Sequence, residues 1–133
     1  MAKYIYPAIF TKGEEGYIVY FPDLENCYTQ GDTLEEAMEI AEDVLSLELY
    51  EYERKQRLAP EPTPIKQIET KECEIVSLVM GNTLECRKRH NNKSVKKTLT
   101  IPAWLNEEAS ALDVNFSQVL QEALMKILNI RTK

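Results

Sequence analysis

The stretch Val95-Lys96-Lys97-Thr98-Leu99-Thr100-Ile101-Pro102 decides how the rest of the chain is read. Polar and apolar residues alternate along it, so Leu99 and Ile101 share one face of a strand while Lys96, Thr98 and Thr100 share the other. Pro102 ends the strand, because it has no N–H for a ladder and its ring suits a first helical turn. Two helical patterns follow. Trp104, Leu105, Ala109 and Leu112 form a short apolar stripe, and Phe116, Val119, Leu120, Ala123, Leu124, Ile127 and Leu128 form a longer one. Asn115 between them suits a helix cap, with Gln118 three residues on. A strand and two helices in roughly thirty residues are too few to bury these stripes alone, so a second copy is expected to supply the other half of the core.

A strand followed by two helices that folds only as an intertwined dimer resembles the ribbon-helix-helix family, whose paired strands lie in the DNA major groove. The resemblance assigns Lys96, Thr98 and Thr100 to the base-facing side. It assigns Asn115, Phe116 and Ser117, at the start of the second helix, to a phosphate, with Lys97 as a further phosphate contact. Free N–H groups and the helix dipole favour an anion at such a position on their own account. Asp113 stands where this family often has the Gly that ends the first helix, and Asp tolerates the left-handed conformation better than most residues.

Composition frames the rest. The 133 residues are 44% hydrophobic and 29% charged, ordinary globular values with room for two small domains. No apolar run is long enough to span a membrane, and the start of the chain has no signal-peptide pattern, so a cytoplasmic protein is expected. Cys27, Cys73 and Cys86 are odd in number and widely spaced, and His90 is the single histidine. Neither a disulfide framework nor a metal site is expected from such spacing, and no cofactor is. The net charge of −6 is unevenly spread. Residues 1–80 hold 7 basic against 17 acidic side chains, whereas residues 81–133 hold 9 against 5. An acidic front suits a basic partner and a basic back suits nucleic acid.

Read in order, residues 3–11 alternate as a strand with Tyr4, Tyr6, Ala8 and Phe10 on one side. Lys12-Gly13-Glu14-Glu15-Gly16 is a turn and Tyr17 to Phe21 a second strand, with Cys27 to Gly31 as a short third. Thr33 caps a helix, with Glu36 three residues on. Its apolar face carries Leu34, Ala37, Met38, Ala41, Val44, Leu45 and Leu49. Glu35, Glu39, Glu42 and Asp43 line the opposite face, which reads either as a solvated surface or as a docking face for a basic partner. The helix is expected to fray between Glu53 and Leu58, ahead of the stiff run Ala59-Pro60-Glu61-Pro62-Thr63-Pro64. Glu74 to Met80 is a fourth strand. The expected architecture is therefore α+β: a front domain over 1–80, a polar, basic linker over 81–94 and the tail over 95–133.

Tyr20-Phe21-Pro22-Asp23-Leu24 with Cys27, followed by Thr29-Gln30-Gly31-Asp32-Thr33-Leu34-Glu35-Glu36-Ala37, resembles the front domain of the HicB antitoxins. The family usually has Pro-Gly where this chain has Glu25-Asn26. The resemblance implies a partial RNase H-like front domain that occludes HicA, a small basic toxin that cuts mRNA. It also implies a ribbon-helix-helix tail that represses the operon encoding both proteins, as a dimer or a tetramer. Asp23 joins Glu35, Glu39, Glu42 and Asp43 as a candidate toxin contact.

No enzyme is expected. Two-metal cleavage of a phosphodiester needs several carboxylates converging on paired cations, and the first strand offers none between Met1 and Lys12. The alternative to an antitoxin is a stand-alone regulator whose front domain senses a ligand or a protein, although residues 1–80 contain no Gly-rich phosphate loop.

Overall fold

Alternation at the start of the chain becomes β1 (Lys3–Gly13), the strand on which the front of the protein is assembled, in a computed structural model that describes residues 3–130. β1 pairs antiparallel with β2 (Gly16–Tyr20) through the expected turn and with β4 (Glu74–Asn82) on its other side. β3 (Tyr28–Gly31) pairs with β2, giving the order β3-β2-β1-β4. The register sets Phe10 beside Val19 and Tyr6 beside Val79, so Tyr6, Ala8, Phe10, Val19 and Val79 share one face and are all buried.

That face is covered by α1 (Leu34–Arg54), whose Ala37, Ala41, Leu45 and Leu49 are buried against it. Met38 and Val44 pack at the edge of the same core, and Leu34 stays exposed. Thr33 caps the helix as expected, its hydroxyl accepting from the Glu36 N–H at 3.1 Å. At its other end α1 closes instead of fraying. Gln56 takes φ 55°, its N–H reaches the Glu53 carbonyl, and the Arg57 N–H reaches that of Tyr52 at 2.9 Å. Both are bonds of the left-handed helix terminator that satisfies otherwise orphaned carbonyls.

The proline run that follows is tied down at two points. Tyr6 donates its hydroxyl to the Pro60 carbonyl, and Asp23 accepts from the Thr63 N–H at 2.9 Å as well as from its hydroxyl. A short 3-10 turn, Ile65–Gln67, leads on to β4.

The expected linker over 81–94 is corrected by the structure. β4 runs on to Asn82, and Thr83–His90 form a helix, α2. Asn82 caps it, its side-chain oxygen accepting from the N–H groups of Leu84 and Glu85. An apolar period is missing from this stretch because only two small side chains, Thr83 and Cys86, turn inward. Glu53 anchors the helix from α1: its carboxylate accepts from the hydroxyls of Tyr4 (2.8 Å) and Thr83 (3.0 Å) and pairs with Arg87. The two compact units therefore meet between Lys93 and Ser94.

The boundary redistributes charge. Four of the nine basic residues counted with the tail (Arg87, Lys88, Arg89 and Lys93) belong to the front unit, leaving 5 basic against 4 acidic side chains in residues 94–133. Two of them are already engaged, Arg87 with Glu53 and Lys88 with Glu85.

In the tail unit, α3 (Ala103–Ala111) and α4 (Phe116–Ile127) form where the two stripes predict them. Residues 92–102 carry neither helix nor strand, so the expected strand at 96–101 is absent from a single chain. A ladder needs a second strand, and the described part of this unit contains none. The last three residues assigned to the tail, 131–133, lie outside those described.

Gly31 shows why the front motif contains a glycine. A Cβ there would lie 2.6 Å from the Ala37 backbone nitrogen and 2.7 Å from its Cα, contacts that only a shift of α1 could relieve. Gly31→Ala is expected to destabilise the front unit by about 1–3 kcal/mol, the usual range for overpacking, as read from the denaturant midpoint of the full chain. An unchanged midpoint would show that α1 can slide at no cost.

Candidate functional site

Among the described residues of the tail unit not one side chain is buried. Trp104 is 66% exposed, Leu99 63% and Ile127 77%, values far from those of a finished core. The exposed stripes enclose a groove of about 500 Å³ lined by Leu99, Ile101, Phe116, Val119, Leu120 and Ala123. Lys97, Asn106 and Ser117 also line it; Lys96, Thr98 and Thr100 do not.

Three of the four residues expected to meet a phosphate, Lys97, Phe116 and Ser117, thus share this groove. Asn115 has a local task. Its side-chain oxygen caps α4 by accepting from the Gln118 N–H at 3.1 Å, while the Gln118 amide donates to Glu122 rather than closing the reciprocal box. Asp113 takes φ 55°, and the Val114 N–H returns to the Ala109 carbonyl at 3.2 Å, so this aspartate fills the left-handed position at the end of α3.

On the front unit Glu35, Glu39, Glu42 and Asp43 are all exposed along α1. Asp23 is not with them. It is half-buried in the loop after β2 and both its oxygens accept from Thr63, an internal latch that ties this loop to the proline run. Among the described residues no group of three or more His, Cys, Asp or Glu side chains is placed to hold a metal ion. Nor is any described helix long and apolar enough to cross a membrane.

Burial pushes the Cys27 thiol up to about 12, with the charge of Glu48 adding to it, and burial also raises Cys86. Both are inert as thiolates near neutrality.

Residues 6–123 match the family model of the HicB-like antitoxins of bacterial toxin–antitoxin systems. The chain belongs to that family. It is similar to antitoxin HicB 1 of Photorhabdus laumondii, 43% identical over 63 residues that make up 47% of this chain and 41% of the relative. Antitoxin HicB of Escherichia coli K12 is 41% identical over 61 residues, 45% of this chain and 44% of the relative. The matched stretches therefore span less than half the length of these curated relatives. A chain of a toxin–antitoxin complex from Streptococcus pneumoniae is similar over much more, 93% of this chain and 98% of its own, at 26% identity and a TM-score of 0.61.

For this HicB-like chain the departure at Glu25-Asn26 has a local explanation. Asn26 takes φ 54°, the left-handed conformation that the usual glycine would adopt and that Asn accepts more readily than other residues. Sequence reasoning missed Glu53, Thr63 and α2. The helix had a legible signal, Asn82 with Glu85 three residues on, a spacing that starts helices. Glu53 and Thr63 had none, because their partners lie tens of residues away.

The anchor at Glu53 carries a pH dependence. Burial first, and the hydrogen bond to Glu53 second, push Tyr4 up from 10.0 to about 12. The folded chain therefore holds this proton over a range in which the unfolded chain has lost it, so the contribution is complete below pH 10 and is lost as pH rises toward 12. Tyr6, raised by burial and then by Asp23, acts in the same direction. Thermal midpoints should fall across this window, and less steeply for Tyr4→Phe than for the natural chain; identical slopes would remove Tyr4 as a cause.

Proposed function

We propose that this chain is an antitoxin that neutralises a small basic HicA-type mRNA-cleaving toxin through its front unit and represses its own operon through a dimeric tail. One observation carries the second half: a tail unit of two amphipathic helices without a single buried side chain among its described residues. A second copy is the partner that completes such a unit symmetrically. Residues 96–101 of the two copies would pair as an antiparallel ribbon, which also supplies the ladder missing from a single chain. The tail is then of the ribbon-helix-helix type and the front unit a partial RNase H-like domain.

Within that ribbon Leu99 and Ile101 turn toward the helices, as their place in the groove suggests, and Lys96, Thr98 and Thr100 toward the bases. Phosphates fall to Lys97, Phe116, Ser117 and the free N–H groups at the start of α4, with Asn115 holding that helix end in shape. A tail with nearly balanced charge depends on the few lysines of its ribbon, so its affinity rests on two copies acting together.

Toxin binding is supported by family membership and by the likeness to the chain from the pneumococcal toxin–antitoxin complex. The exposed acids of α1 suit the approach of a basic partner. Coexpression with a small basic HicA-type protein encoded beside this chain, followed by copurification, tests this directly; failure to copurify would end the antitoxin reading. Neutralising Glu35, Glu39, Glu42 and Asp43 together should slow toxin association at low salt more than it speeds dissociation. Unchanged association rates would make that face a solvated surface only.

Adjacent residues of the ribbon should respond in opposite ways. Thr100→Ala is expected to leave the dimer intact and to lose about 1–3 kcal/mol of operator preference. Leu99→Ala is expected to cost the dimer about 2–5 kcal/mol and to abolish binding through loss of fold. Sedimentation and operator titration of both variants read the two effects separately, and the reverse pattern would mean that the register is off by one.

A further inference from the structure

α2 is docked by one side only. Thr83 and Cys86 are buried, Arg87 pairs with Glu53 and His90 stacks on Tyr50, four positions that make one side of a helix. Glu85, Lys88 and Arg89 lie on the other side and are exposed, with Glu85 taking Lys88 at 3.5 Å. Arg89, and Lys93 just past the helix end, have no ion-pair partner among the described residues. The acids of α1 beside this helix are engaged already, Glu51 by Arg54 and Glu53 by Arg87. Helix stability explains only part of the charge. Basic side chains in a last turn complement the helix dipole, but that effect fades within the turn and Lys93 stands beyond it. The run is also free of acid. From Cys86 to Asn106 there is no Asp or Glu, in a chain that holds 22, and this stretch joins the end of α2 to Lys96 and Lys97 without a break.

We propose that Arg89 and Lys93 form a phosphate clamp on the DNA that flanks the site read by the ribbon. The clamp rests on the DNA-binding half of the proposed function and adds to it a contact made by the front unit. Charge gives the reason: the unit from Ser94 onward holds 5 basic against 4 acidic side chains, too even a balance to grip a polyanion strongly, and the nearest unpaired cations in the chain are these two. Reach suits the assignment. Lys93 stands three residues before Lys96 and Arg89 seven, which sets them at most about 11 Å and about 25 Å from the start of the ribbon along the backbone. At about 3.4 Å per base pair the clamp then falls within roughly seven base pairs of the ribbon. Asn91 and Asn92, exposed between the two cations, add neutral donors of the kind that phosphates accept from.

The test titrates the full chain, at several salt concentrations, onto the DNA upstream of its own coding sequence, as a long duplex and as one trimmed to the base pairs whose substitution weakens binding. Each phosphate contact contributes about 0.9 to the slope of log affinity against log salt, so the four of a dimer contribute about 3.6. On the long duplex Arg89→Gln/Lys93→Gln should lower the slope by that amount, and the natural chain should lose about a hundredfold more affinity than the variant between about 50 and 200 mM salt. Trimming should lower the natural slope equally and leave the variant's unchanged, because the two changes remove the same contacts. Arg89→Lys/Lys93→Arg should keep the natural slope, and all three chains should share one melting temperature and copurify equally with the toxin. A natural chain that binds no upstream DNA would overturn the DNA-binding reading and the clamp with it. Binding whose slope is indifferent to Arg89→Gln/Lys93→Gln would overturn the clamp alone. A natural slope indifferent to trimming would do the same, and that measurement stands even where the glutamine variant melts early. Loss of toxin copurification with the slope unchanged would assign the two cations to the toxin and would likewise overturn it.

Discussion

How closely α1 can lie against the sheet governs the front unit. Two glycines set that distance. At Gly31 the backbone of Ala37 sits where a Cβ would be, and at Gly81 the Leu45 side chain fills the space, its Cγ 3.0 Å from such a Cβ. With the helix seated, Ala37, Ala41, Leu45 and Leu49 close over Tyr6, Ala8, Phe10 and Val79 to form the core. Everything added to this unit is fastened to that pair of layers. Tyr4 and Thr83 reach Glu53 near the end of α1, which seats α2, while Tyr6 and Asp23 hold the proline run.

The tail obeys the opposite constraint. Its helices are well made, with Asn115 capping one and Asp113 terminating the other, yet none of their described apolar side chains is buried. Burial is what this unit lacks, and in the proposed function a second copy supplies it. The contrast between a finished front and an unfinished tail is what supports the proposed division of work, in which the front unit presents a surface by itself and the tail acts as a pair.

Charge follows the same division, but not where the residue count placed it. The basic run from Arg87 to Lys93 looked like part of a nucleic-acid-binding tail, and the structure assigns it to the front unit. Arg87 is committed to Glu53 and Lys88 to Glu85, and His90 stacks on Tyr50 at a centroid distance of 6.0 Å. What remains free in the tail is close to neutral, so attraction to a polyanion would depend on the doubling of Lys96 and Lys97 rather than on a broad positive field.

The sequence by itself determined the elements whose signals are local. β1 is a period-two run, β2 and β4 are β-branched and aliphatic or aromatic runs bounded by turns, α1 begins at Thr33 because a hydroxyl there meets the Glu36 N–H, and α3 and α4 follow stripes of period 3.6. The motif from Tyr20 to Ala37 was specific enough to point to the family that residues 6–123 match. Tertiary structure alone decided the rest. α2 was hidden because just two small side chains turn inward, and the bond between Asp23 and Thr63 was hidden because the two lie forty residues apart. That Ile5, Ile18, Tyr20, Leu78 and Met80 stay exposed on the face away from α1 was equally out of reach, since alternation distinguishes two faces of a strand without saying which of them a helix will cover. Those outcomes depend on contacts between residues far apart in the chain, and a pattern read within a window of neighbours carries no information about them.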